Sequence, residues 1–578
     1  MNDWKSTWAK WRGFPGLDPE LRRQLDQLQH DEAALEEHFY RRIPFGTGGM
    51  RGELGPGTNR MNIYTVRAAA EGLALYAAEH GDGAKRAGVA IAYDSRRQSP
   101  EFASEAAAVL GKHGIRVYLY DRLFPTPLLS YAVRKLRAFA GIVITASHNP
   151  PEYNGFKVYG ADGGQMTLQA AERLMACIDR AGDELAIQTA DLQEMLATGT
   201  LQLIGDDMLQ SYLAEAGELR IHGDLPAEAK DDIRIVFTPL HGSAGEAITK
   251  GLQLFGYSRV TLVQQQARPD PDFSTVRSPN PEDPAAFALS IPCAIEQNAD
   301  LIIGTDPDGD RLGVAAKDGR GGYVALTGNQ LGALLLEDLL SQKQAQGTLP
   351  ANGLVLKTIV TSELGRAIAT RYGIATEDTL TGFKYIGEKM TEYEQTGEYA
   401  FQFGYEESCG YLIGGFVRDK DAVQTALLLA DLCASHKARG ASLCEALASL
   451  FARYGCYRED LYAVTLKGKD GMEKMSALMS GLRSRPLSQL PCGKVAAIED
   501  YLRQTRSDTA SGHLTPLTLP ASDVIKYFLE DGSWFCLRPS GTEPKIKLYL
   551  GVIGATGEDG EQKLSQLRES VVRRLGLS

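Results

Sequence analysis

Short apolar runs separated by amphipathic stretches set the pattern of this chain. Ala87 to Ala92 and Ala140 to Ile144 are apolar at consecutive positions, and Ile115 to Tyr120 is interrupted only by Arg116, as in strands buried on both faces. Ser99-Pro100 opens a helix that ends near Gly114. A proline-bounded turn and a short helix follow Tyr120. This β-α-β-α-β order predicts a mostly parallel sheet. The pattern returns with strands at Ile233 to Phe237, Arg259 to Val263 and Leu301 to Gly304. It returns again with a strand from Gly353 to Ile359, a helix from Ser362 to Tyr372, a strand from Tyr399 to Gly404 and a helix from Asp421 to His436. Beyond residue 455 strands mix with helices, and a helix near Gln562 to Leu575 closes the chain. Near the start, Asp18-Pro19-Glu20 predicts a capped helix carrying Leu21, Leu25 and Leu28 on one face.

The expected fold class is α/β. Three similar domains with mixed or parallel sheets are followed by a smaller C-terminal α+β domain. The expected boundaries are 1–205, 206–321, 322–454 and 455–578.

Composition narrows the function. The 578 residues are 43% hydrophobic and 23% charged, within the globular range. The net charge of -12 argues against nucleic acid or an anionic membrane as partner. The eight cysteines are scattered without a C-x-x-C pair, which points to buried thiols and a cytoplasmic protein. No apolar run approaches membrane-spanning length, and the N-terminus has no apolar signal core.

In each repeat a polar motif follows a strand, where open α/β sheets bind ligands. Thr145-Ala146-Ser147-His148-Asn149-Pro150 follows the third strand. Ser147 could cap the turn, act as a hydrolase nucleophile with His148 as base, or carry a phosphoryl group. The hydrolase reading lacks the G-x-S-x-G elbow, and neighbours on a loop seldom face each other. Phosphoryl transfer requires a divalent metal, phosphate donors and a proton-transfer group elsewhere.

Asp306, Asp308 and Asp310 supply the first of these. They alternate along the loop after Gly304 and offer hard oxygen ligands to magnesium. An EF-hand is excluded, because Arg311 and Lys317 stand where it needs Gly and Glu. Three such carboxylates would repel one another without a cation. Lys157 would come back beside Ser147 on a hairpin-like return and can act as general acid or base. Phe45 to Gly52 fails as a dinucleotide fingerprint, since no strand precedes it and Arg51 replaces the third glycine. It is either a flexible loop or a phosphate cradle with Arg51 as its charged arm. Arg538-Pro539-Ser540-Gly541-Thr542 has the hydroxyls and loosened backbone of a second cradle, or is an ordinary turn. Glu406 and Ser408 suit sugar hydroxyls, and Thr381-Gly382-Phe383-Lys384 is a weaker motif.

Together these motifs resemble the α-D-phosphohexomutase superfamily from about Phe45 to Tyr549, with four signature loops in order. The N-terminal region through Gly55-Pro56-Gly57 is most similar to the branch holding bacterial phosphoglucomutases and phosphoglucomutase-2-like enzymes. The resemblance implies four domains around a central cleft, and an enzyme that interconverts α-D-glucose 1-phosphate and glucose 6-phosphate. It implies a phosphoserine, a glucose 1,6-bisphosphate intermediate that also activates, one Mg2+ per chain, and a monomer or dimer. Ser147 would be the phosphoserine, holding the metal with Asp306, Asp308 and Asp310. Lys157 would be the general acid/base, with Arg51, Arg311 and His148 completing the catalytic group. Thr381, Gly382, Phe383 and Lys384 would lie in the sugar-specificity loop. Glu406 and Ser408 would read sugar hydroxyls, with Lys420 near a phosphate. Arg538, Ser540, Gly541 and Thr542 would grip the phosphate that does not react. Phosphopentomutase, phosphomannomutase and glucose 1,6-bisphosphate synthase activities stay open. A non-catalytic sensor would carry damage at Ser147, Lys157 or the aspartates, and there is none. Two departures stand out. Gly410 and Tyr411 occupy a place where some members have His, and Lys545 and Lys547 one where some have Arg.

Overall fold

The computed structural model describes residues 4–46, 48–465, 469–539 and 545–577. The chain divides into two compact units, Met1–Leu331 with Phe383–Leu443, and Gly332–Gly382 with Cys444–Ser578.

Among the described residues, the first unit holds two sheets. Strands β1 (Phe45–Gly46), β2 (Gly49–Glu53), β3 (Val89–Tyr93), β4 (Val117–Tyr120), β5 (Ala140–Ile144), β6 (Tyr153–Tyr159) and β7 (Leu201–Ile204) pair in the order β1-β2-β6-β5-β3-β4-β7. The inner run β5-β3-β4-β7 is parallel, as the alternation predicts. The sheet as a whole is mixed, because β6 runs antiparallel to β5. The link from Ile144 to Tyr153 is too short for a crossover helix, so the chain turns straight back. The glycine-rich stretch adds the β1/β2 hairpin at this edge, where the sequence suggested only a loop. Helices Ile63–Glu79 and Ser99–Lys112 bury their alanine-rich faces in the core of this sheet. The expected N-terminal helix is Pro19–Leu28, and Asp18 caps it by accepting from Glu20 and Leu21 amides.

The second sheet uses β8 (Ile235–Thr238), β9 (Val260–Leu262), β10 (Leu301–Thr305), β11 (Leu312–Lys317) and β12 (Tyr323–Leu326), ordered β12-β11-β10-β8-β9. It is parallel at β10-β8-β9 and antiparallel at β10-β11-β12. The acidic loop is the hairpin between β10 and β11. A further hairpin, β13 (Ala400–Glu406) with β14 (Gly410–Leu412), and the helices Phe383–Thr396 and Ala422–Ala438 complete the unit.

The second unit contains a parallel pair, Gly353–Thr358 beside Ala375–Thr379, with the helix Leu364–Arg371. It also contains an antiparallel sheet in which Lys545–Gly554 lies between Cys456–Thr465 and Trp534–Pro539. Helix Gly557–Leu575 covers that sheet. This is the expected α+β ending, with the last helix starting earlier than the sequence suggested, at the Thr556 cap. Buried Lys526 donates to the Ile359 carbonyl at 2.6 Å and lies 4.5 Å from the centre of the Trp534 ring.

Candidate active site

Ser147 stands just past β5 in a left-handed conformation (φ 52). Its amide donates to Thr145 Oγ1 at 2.8 Å, closing the turn. Its hydroxyl is buried and donates to Asp306 Oδ2 at 2.8 Å. The same oxygen lies 3.2 Å from His148 Nδ1, so the left-handed turn brings together neighbours that an extended loop would separate.

The β5/β6 register sets Lys157 opposite Val143. From there its ammonium donates to Asp308 Oδ2 at 2.7 Å and lies 3.9 Å from Asp310 Oδ2. The expected return of Lys157 toward the serine loop is thus a feature of the sheet. Gly155 on the same strand permits the close approach, since a Cβ there would stand 2.5 Å from the Thr145 carbonyl oxygen.

Asp306, Asp308 and Asp310 are buried together, with one oxygen from each within 4.8 Å of the others. The loop is tied by its own backbone, as Asp306 Oδ1 accepts from the amides of Asp310 and Arg311 at 3.1 and 3.0 Å. Gly309 turns it with φ 65. Burial, then repulsion from Asp308 and Asp310, pushes the Asp306 carboxyl well above its usual range. Burial acts the same way on Asp308, but the Lys157 ammonium outweighs it and holds that carboxyl low. Burial and Asp308 push Asp310 up. Asp308 Oδ1 and Asp310 Oδ1 are buried without a hydrogen-bond partner. Two orphaned carboxylate oxygens in a group of three fit a hard dication, which would take those lone pairs and relieve the repulsion.

Cationic and polar groups surround this centre. Lys420 lies 3.1 Å from Asp310 Oδ2 and 3.1 Å from Asp419 Oδ1. Burial opposes its charge, but Asp310, Asp419 and Glu406 raise its pKa above the usual range. The Arg311 guanidinium pairs with Glu282 and donates to the Ser408 carbonyl at 3.3 Å. Leu312 N donates to the Cys409 carbonyl at 2.9 Å, so the β13/β14 turn seats directly on the acidic loop. Glu406 at that turn is buried, and burial pushes its carboxyl up to about 7 despite Lys420. Burial and the nearby Arg311 and Arg51 charges push His148 well below 6.5, so its ring is neutral at pH 7. Arg51, an exposed residue of β2, donates to Asn149 Oδ1 at 2.9 Å beside the serine. Phe383 is buried 5.7 Å from the Lys420 ammonium, and Lys384 lies over the Tyr385 ring.

Thr381, Gly382 and Arg538 belong to the second unit. Gly382 has φ 114 and Arg538 pairs with Lys547 in the C-terminal sheet. Ser540, Gly541 and Thr542 lie outside the described residues. Sequence reasoning missed Arg96, which is buried behind the serine loop. The only hint was an arginine two residues after Asp94 at a strand end.

Models of the phosphoglucomutase/phosphomannomutase family match the chain in order: α/β/α domain I over 42–184, domain II over 210–321, domain III over 327–454 and the C-terminal domain over 488–564. A Staphylococcus epidermidis phosphoglucomutase is 40% identical over 540 residues, covering 93% of this chain and 95% of its own. One from Staphylococcus aureus (strain USA300) is 37% identical over 539 residues, with coverages of 93% and 95%. In fold, the chain resembles the open form of parafusin, a Paramecium phosphoglucomutase. The TM-score is 0.68 at 16% identity, covering 93% of this chain and 96% of that one. Domain matches along most of the chain, relatives of this identity and a shared fold lead to one conclusion: the chain belongs to the phosphoglucomutase/phosphomannomutase family.

Proposed function

We propose that this enzyme interconverts α-D-glucose 1-phosphate and glucose 6-phosphate by passing a phosphoryl group through Ser147. The observation that carries the reading is the 2.8 Å contact between the Ser147 hydroxyl and Asp306, inside a buried carboxylate group. The relatives at 37% and 40% identity are phosphoglucomutases, which supports glucose as the sugar.

Asp306, Asp308 and Asp310 would hold Mg2+ together with the phosphate of Ser147. When bound, the ion offsets charge on the transferring oxygens. Phosphorylated Ser147 gives its phosphoryl group to O6 of glucose 1-phosphate. The bond from phosphorus to Oγ breaks, the bond to O6 forms, and the O6 proton leaves to a base. The resulting glucose 1,6-bisphosphate turns end for end. Ser147 then takes the phosphoryl from O1, and glucose 6-phosphate leaves. Lys157 moves the proton at the reacting hydroxyl, as general acid in one half and base in the other. Neutral His148 sets its Nδ1 3.2 Å from Oγ, as acceptor or donor according to its tautomer. Arg51 and Arg311 steady the phosphoryl oxygens. Glu406, Ser408, Lys420 and the 381–384 loop hold the sugar. Arg538, Ser540, Gly541 and Thr542 hold the distal phosphate. We place the enzyme in the cytoplasm, in keeping with the absence, among the described residues, of a helix long and apolar enough to cross a membrane.

The test offers glucose, mannose and ribose 1-phosphates side by side, with Mg2+ and a trace of glucose 1,6-bisphosphate. Glucose 1-phosphate is expected to turn over fastest. Faster use of either competitor overturns the sugar assignment, and no turnover with any of them overturns the mutase reading.

A further inference from the structure

The serine loop is held from behind by groups with no part in the reading above. Arg96 follows β3, and its side chain is fully buried. Its guanidinium donates to the main-chain oxygens of Ser147 at 2.6 Å, Pro150 at 2.8 Å and Tyr153 at 2.9 Å, and also to that of Asn149. One planar fork therefore satisfies four carbonyls spread over the turn. Asp94, 3.4 Å away, balances the charge.

The Cζ of the same guanidinium lies over the Phe273 ring, 4.9 Å from its centre. Phe273 is buried, has φ 46, and comes from the segment between β9 and β10. That segment is anchored in turn by His241, whose Nδ1 meets the Arg268 carbonyl at 3.0 Å and whose Nε2 meets Thr275 Oγ1 at 2.8 Å. It also meets the loop after β3, beside Arg96, and the serine loop itself. Asp272 pairs with Arg97, and Ser278 Oγ donates to the His148 carbonyl at 3.4 Å.

A left-handed serine is held against its own backbone preference, so something outside the turn must fix it. Arginine can do so through a rigid planar fork of five donors that also stacks on an aromatic face, whereas lysine offers a point charge with three donors and no planar fork. We propose that Arg96 and Phe273 are positioning residues that fix where Ser147 Oγ stands when the phosphoryl group is transferred. They touch no sugar group, so their loss should slow the chemical step and leave sugar binding alone. The proposal rests on Ser147 being the phosphoryl carrier.

The test compares Phe273→Leu, Phe273→Tyr and Arg96→Lys with the wild type. The readouts are kcat and KM for glucose 1-phosphate, and the rise in melting temperature with Mg2+. Phe273→Leu and Arg96→Lys are expected to lower kcat by about tenfold or more, because small misplacements of reacting groups are costly. KM should stay within about twofold and the Mg2+ response should persist. Phe273→Tyr keeps the ring face and should recover most of kcat. Unchanged kcat in Phe273→Leu overturns the proposal, as does a Tyr variant that folds like wild type yet is as slow as Leu. If Arg96→Lys does not fold, Phe273→Leu decides, since it leaves the guanidinium in place. A wild type without mutase turnover overturns the Ser147 reading itself, whereas an active wild type matched by its variants overturns only this inference.

Discussion

The Lys157 ammonium donates to Asp308 Oδ2 at 2.7 Å, while the other oxygen of that carboxylate is buried without a hydrogen-bond partner. One carboxylate thus meets the proposed proton carrier on one side and faces the proposed metal position on the other. Activity should therefore be sensitive to each member of this group in a different way.

Replacing Ser147 with Ala removes the acceptor oxygen. Mutase turnover is expected to fall on the order of a thousandfold or more, because a nucleophile has no substitute at its position. The aspartates are untouched, so Mg2+ should still raise the melting temperature. A coupled assay and a thermal scan in the same buffer check both.

Asp306→Asn should separate stability from function. Burial and two like charges oppose the Asp306 charge. Removing it is expected to raise the melting temperature of the metal-free protein by about 2 °C. The Mg2+-induced rise should largely vanish, and turnover with it. Thermal scans with EDTA and with Mg2+ give both numbers; a variant less stable than wild type in EDTA counts against mutual repulsion as the dominant effect.

Glu406 and His148 should tilt stability with pH in opposite directions. The Glu406 carboxyl is raised from 4.5 to about 7, so the folded protein holds a proton that the unfolded chain has lost. Its contribution to stability is present below 4.5 and is lost as pH rises toward 7. His148 is pushed below 6.5, so its contribution is present above that value and is lost as pH falls. Each slope is at most about 1.4 kcal/mol per pH unit for a single proton. Glu406→Gln leaves the histidine slope alone. The stability of that variant relative to wild type should grow between pH 5 and pH 7, as denaturant titrations would show. Its KM for glucose 1-phosphate should also rise, while Ser147 remains able to take up phosphate.

In the second unit, Lys526 buries its charge among Trp534, Phe528 and the Ile359 carbonyl. Burial pushes its pKa down, with Lys357 adding to the effect and Glu363 opposing it. Lys526→Ala orphans the Ile359 carbonyl and empties space between two rings. A loss of about 3 kcal/mol is expected, read from equilibrium unfolding. A value near zero would mean that desolvating the ammonium cancels its contacts.

Much of this was legible in the sequence because buried strands betray themselves as unbroken apolar runs, and polar motifs directly follow them. Ser147, Lys157 and the three aspartates could be found this way, and the short link from Ile144 to Tyr153 already implied a return strand. Arg96 and Phe273 could not be found. Their partnership crosses from one sheet to the neighbouring one, and neither lies at a spacing that a helix or strand period reveals. The contact between Ser147 and His148 depends on the sign of one torsion, which residue type alone does not fix. The β1/β2 hairpin was obscured because glycine weakens the alternation that marks a strand.

The positive φ at Ser147 narrows what chemistry evolution can place there. Threonine offers the same hydroxyl, but its extra methyl makes a left-handed backbone costly. A phosphothreonine enzyme on this scaffold would first have to rebuild the turn. For the function proposed above, the carrier's identity is thus set by the geometry of the main chain as well as by the reactivity of its oxygen.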